Sequence, residues 1–80
     1  NRQQYDVADE QLRRALDIAR SAQLDEVTPI ILANLGEIAG FQGKVDEACR
    51  LWREALLPLE KAGHAAAGIV SGWIDEHRCD

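Results

Sequence analysis

The C-terminal stretch Asp75-Glu76-His77-Arg78-Cys79-Asp80 gathers the side-chain types that hold divalent metals, with an imidazole and a thiol two residues apart and three carboxylates beside them. A closed zinc site needs four ligands at defined spacing, and the other donors of the right kind, Cys49 and His64, are distant in sequence. The tail therefore reads as a frayed end, and no metal or other cofactor is expected.

A second candidate is the stretch Asn34 to Ala48, NLGEIAGFQGKVDEA, which holds Gly36, Gly40 and Gly43. Phosphate-cradling loops set Gly-rich backbone between a strand and a helix, often with Lys-Ser or Lys-Thr following. Here Gly43-Lys44-Val45 follows a helical pattern and lacks the hydroxyl. Cys49 has no His near it in sequence and no exposed helix N-terminus, so it reads as a small packing residue, not a nucleophile. The pairs Asp25-Glu26, Asp46-Glu47 and Asp75-Glu76 read as helix-start charges that complement the helix dipole. No nucleophile, base and orienting group can be assembled, and the segment is expected not to be an enzyme.

The elements that position these residues follow from composition and period. Eighty residues, nearly half of them apolar, suffice for one small unit with little stability to spare. Ala, Leu, Ile and Val dominate and aromatics are few, which favours packed helices. The net charge of −5, with the cations interleaved among carboxylates, argues against nucleic acid as a direct partner. No apolar run reaches the roughly 20 residues that cross a bilayer, and the first residues lack a signal-peptide layout. Two cysteines outside any CxxC pair are too few for a disulfide framework, so both are expected reduced and the chain cytoplasmic. With no initiating Met and a helical pattern already running at Tyr5, the chain reads as a piece of a longer polypeptide.

Tyr5, Ala8, Leu12, Ala15, Leu16, Ala19 and Ala22 step by three and four along a first helix. A second starts near Pro29, with Asp25 or Thr28 as its N-cap, and runs to about Phe41. Gln42-Gly43-Lys44 turns the chain into a third, striped by Val45, Ala48, Leu51, Trp52, Ala55, Leu56 and Leu59. Pro58 is expected to end or kink it near Leu57, unless Leu59 to Ala62 carry it on to a stop at Gly63. Ala65 to His77 form a fourth, amphipathic helix interrupted by Gly68 and Gly72.

Sliding the chain by 40 positions lays Asp6, Ala8, Arg13, Ala15, Leu16 and Ala22 on Asp46, Ala48, Arg53, Ala55, Leu56 and Ala62. Leu32, Leu35-Gly36 and Ala39, followed by Ala48, Trp52 and Ala55, resemble the signature of the tetratricopeptide repeat family. The period of 40 is similar to that of the extended repeats of bacterial signal-transduction regulators and kinesin light chains. Ala39 and Val45 stand where that family usually has Tyr, and Lys44 where it has a capping Asp.

The resemblance implies an all-α fold of about four helices, in antiparallel hairpins stacked as an α-solenoid. Residues 1–24 would be the second helix of one repeat and 25–62 a complete hairpin. Residues 63–80 would be the first helix of a further repeat, or a cap. It also implies a non-catalytic protein-binding module whose concave groove holds a peptide or helix. The alternative is a regulatory or sensor segment of a larger signalling protein, such as a bacterial transcriptional regulator; an unrelated four-helix bundle would instead pack the fourth helix back on the first. Carried over by position, the groove candidates are Ile30, Ala33, Asn34, Glu37 and Phe41, with Trp73 from the fourth helix. Gly40 would face the same groove, where a missing side chain leaves room. Asn34 suits a peptide backbone and Glu37 a cation, so an apolar or basic segment, or a second copy, fits better than an acidic tail.

Overall fold

The fold is known from a computed structural model, which describes the backbone of residues 2–79 and the side chains from residue 3 onward. Asp80, the last carboxylate of the acidic tail, lies outside the described residues. The described chain is all-α, with helices α1 (Arg2–Ser21), α2 (Thr28–Phe41), α3 (Val45–Lys61) and α4 (Ala66–Glu76) and no strand. Helix contacts run in chain order, α1 on α2, α2 on α3 and α3 on α4, in a slab of 33 × 30 × 18 Å.

The seam between α2 and α3 is the centre of the core. Leu32, Leu35 and Ala39 of α2 face Ala48, Leu51, Trp52, Ala55 and Leu59 of α3, and all are buried. Leu16 and Ala19 of α1 close one side, and Val70 of α4 the other. These are the positions that the three-and-four spacing marked, because that spacing keeps them on one helix face.

Each helix ends in the same way. Gln23, Gly43, Gly63 and Arg78 sit at φ values of 57°, 80°, 65° and 54°. The amide after each donates five residues back: Leu24 to the Ala19 carbonyl, Lys44 to Ala39, His64 to Leu59 and Cys79 to Ile74, at 2.8 to 3.0 Å. This is the left-handed helix stop, which costs least with Gly and more with Gln or Arg.

Two details depart from the sequence reading, and one course that it left open is decided. Neither Asp25 nor Thr28 caps α2: Thr28 is its first residue, and its hydroxyl donates to the Leu24 carbonyl at 3.0 Å. Helix α3 runs through Pro58 to Lys61 and stops at Gly63, since the Ala62 amide still reaches the Pro58 carbonyl at 3.1 Å. Asp75 and Glu76 lie in the last turn of α4, so they are not helix-start charges; Asp46 and Glu47 do occupy the first turn of α3.

The largest correction concerns the cysteines. Cys49 and Cys79 are not free thiols but a disulfide, with Cα atoms 5.5 Å apart across a sequence separation of 30. The bond ties the residue after the α4 stop to α3, because α4 runs back antiparallel along that helix. The argument for a reducing compartment therefore loses its premise. No helix among the described residues is long and apolar enough to cross a membrane.

Helices α1 and α3 lie side by side in a constant register. Arg13 pairs with Glu47 at 2.7 Å and Arg20 with Glu54 at 3.2 Å, both 34 residues apart, so the two helices run parallel. Arg13 also pairs with Asp9 at 2.9 Å within α1. The hydrogen bond to Asp9, against some desolvation and with help from Glu47, raises the Arg13 pKa. The arginines and Glu54 are about half exposed and Glu47 and Asp9 about a quarter, so each pair adds only a few tenths of a kcal/mol and mainly fixes register.

Candidate functional site

The side chain around which the open face is organised is Trp52. Its indole is 2 % exposed and its Nε1–H donates to the Ala33 carbonyl at 3.3 Å. A Cβ built on Gly36 would stand 2.5 Å from Trp52 Cδ1 and closer still to Nε1, so only Gly at that position admits the ring. One turn on, a Cβ at Gly40 would lie 3.6 Å from Cη2, an ordinary contact. Gly36 thus seats the pyrrole side of the indole while Gly40 leaves its far edge open.

Helix α4 brings two more rings to that edge. Trp73 meets Trp52 with centroids 5.5 Å apart and planes tilted by 38°, and the His77 ring lies 4.9 Å from the Trp52 ring at 57°. His77 Nδ1 is 2.9 Å from the Trp73 carbonyl. A carbonyl can only accept, so Nδ1 carries hydrogen.

Glu37, Gly40 and Phe41 of α2, Trp52 of α3, and Trp73, Glu76 and His77 at the end of α4 together line a hollow of about 220 Å³. Its walls are aromatic and its charges are two carboxylates, with no Lys or Arg in the lining. Among the described residues neither the Glu37 nor the Glu76 carboxylate makes a hydrogen bond or an ion pair. The Cys49–Cys79 disulfide lies just beyond His77 and holds this end of α4 against α3.

The residues expected at a groove divide accordingly. Glu37, Phe41 and Trp73 converge on the hollow, and Gly40 joins them. Phe41 is also stacked on Tyr5 of α1, at 5.5 Å and 19°, yet remains 60 % exposed. Asn34 is exposed and Ile30 is 37 % exposed, both on α2 outside the hollow. Ala33 is instead a core residue, 6 % exposed, because its turn of α2 faces the Trp52 indole.

Sequence reasoning missed Glu76 and His77 as wall residues, having read them as a tail. Their signal was present in the spacing of Trp73, Glu76 and His77, which share one helical face, but it needed the end of α4 to be tied down. Among the described residues no group of three or more His, Cys, Asp and Glu could hold a metal ion. Larger depressions lie at the helix ends: one of about 440 Å³ by Tyr5 and Lys44, crossed by the Gln42–Asp6 hydrogen bond, and one of about 560 Å³ between Pro29 and Pro58. No family model, characterised protein or solved structure matches the chain.

Proposed function

We propose that the chain is a non-catalytic protein-binding module, a segment of a tetratricopeptide-like α-solenoid whose groove receives a partner segment. The observation that carries this reading is the hollow between α2 and α4. In the family that the sequence resembles, the first helices of successive repeats line the groove; on this reading those helices are α2 and α4, and a hollow lined by both is consistent with it.

The packing supports the repeat reading as well. The residues that carry the resemblance, Leu32, Leu35, Gly36, Ala39, Ala48, Trp52 and Ala55, are all buried along the α2/α3 seam. Leu12, Ala15 and Leu16 of α1 turn the same face inward as Trp52, Ala55 and Leu56 of α3, their equivalents 40 positions on. Chain-order helix contacts and the parallel α1/α3 pair are what stacked hairpins would produce, whereas a four-helix bundle would return α4 to α1.

The test is retention of partners from native lysate by the wild-type chain and by the Asn34→Ala/Glu37→Ala double variant. Proteins held by the first and lost by the second support the groove. Equal recovery of every partner by both removes it.

A further inference from the structure

We infer that the hollow over Trp52 receives an arginine side chain of the partner segment, an assignment that rests on the groove reading above. Its size comes first. At about 220 Å³ it is smaller than the roughly 300–1,000 Å³ of sites that enclose whole small molecules, and it suits one long side chain.

Its chemistry comes next. A cation gains over the face of an aromatic ring, best over Trp, and the hollow offers the part-buried Trp73 above the buried Trp52, with the exposed Phe41 at the rim. Glu37 on α2 and Glu76 on α4 supply negative charge from two different helices, and among the described residues neither is spent on a cation. With two carboxylates and no Lys or Arg at the lining, an anionic side chain would be repelled and a neutral apolar one would leave both carboxylates without a cation.

Arginine fits better than lysine on shape. Its planar guanidinium stacks on indole while its N–H edge meets carboxylates in pairs, and both interactions are offered here in one small space. An ammonium makes a point contact and cannot both lie flat on an indole and meet carboxylates in pairs. The lining also explains Gly40, since a side chain there would occupy the space the guanidinium needs.

The test uses the 80-residue chain and two blocked pentapeptides, Ala-Ala-Arg-Ala-Ala and the same peptide with citrulline, the neutral isostere of arginine, at the centre. Amide and indole N–H shifts are followed by NMR during titration. The arginine peptide should move the Trp73 indole and the Glu37, Gly40 and Glu76 amides, and bind at least about tenfold more tightly than the citrulline peptide. Glu37→Gln and Glu76→Gln should each weaken the arginine peptide about five- to tenfold, at unchanged melting temperature, and added salt should weaken it further.

Equal binding of both peptides at the hollow would overturn the arginine assignment while leaving the groove standing. So would shifts that fall elsewhere, or none at all, with partner retention still dependent on Asn34 and Glu37. Retention indifferent to those two residues would instead remove the groove itself.

Discussion

Trp52 and Gly36 share one volume: the indole lies where a side chain on Gly36 would stand, and its Nε1–H reaches the Ala33 carbonyl just beyond. Gly36→Ala must therefore displace a ring that is 2 % exposed or push α2 off α3. Overpacking of this kind costs about 1–3 kcal/mol, more than the ~1 kcal/mol that Ala gains over Gly in a helix. Gly40→Ala meets only an ordinary contact and should be neutral or stabilising by up to about 1 kcal/mol. Urea unfolding followed by tryptophan fluorescence compares the two, and equal midpoints would refute the steric account of Gly36.

The disulfide closes a loop of 30 residues that contains most of α3 and all of α4. Loop-closure entropy predicts that Cys49→Ala/Cys79→Ala lowers stability by about 2–4 kcal/mol, a large share for a chain of this size. The loss should be local first, because Val70 is the one fully buried side chain of α4, and Trp73, Ile74 and His77 hold its end only through part-buried contacts. Reduction should redden Trp73 emission before the α2/α3 seam melts. Coincident transitions with and without reductant would show that α4 does not depend on the bond.

Much of the helical framework was legible because it rests on one local rule. Apolar residues at three-and-four spacing placed Leu35, Trp52 and Ala55 in the core and located all four helices. The glycine stops at Gly43 and Gly63 were equally local. What escaped depends on where α4 travels. The Cys49–Cys79 pair and the wall of Trp73, Glu76 and His77 exist only because α4 returns along α3 and stops at Arg78 in a left-handed turn. Neither residue type nor spacing announces that turn, since Arg is an uncommon occupant of it. Ala33 was misplaced for a related reason: an Ala tolerates either face of a helix, and only the position of the Trp52 indole decides.

The four helix stops offer a matched comparison. Gln23 and Arg78 adopt the backbone that Gly43 and Gly63 adopt without Cβ strain. A left-handed non-Gly residue costs roughly 1–2 kcal/mol, partly offset by the greater freedom of Gly in the unfolded chain. Gln23→Gly and Arg78→Gly should each therefore stabilise by about 0.5–1 kcal/mol. Gly43→Ala and Gly63→Ala should destabilise by about 1 kcal/mol although nothing lies within 4 Å of a Cβ at either position. Thermal melts of the four variants should split into these two pairs; a common sign would contradict the backbone explanation.

The outer face of α1 decides whether the module stands alone. Val7 is 50 % exposed and Ile18 66 %, and they lie eleven residues apart, three helical turns, on the same side of α1. The opposite side carries Leu16 and Ala19 into the core, so α1 sets two large apolar side chains among polar ones on the face that a terminal helix would keep wholly polar. An α-solenoid segment exposes such a face where a neighbouring helix would continue the stack, and in its absence a second copy is the nearest apolar surface. Sedimentation equilibrium of the 80-residue chain should accordingly show concentration-dependent association. Val7→Lys/Ile18→Glu should abolish that association and leave the intrinsic unfolding free energy of the monomer within about 0.5 kcal/mol, since exposed sites contribute little to it. A wild-type chain that stays monomeric at every concentration, with a melt indifferent to dilution, would mean that the α1 face is tolerated by water and needs no neighbour.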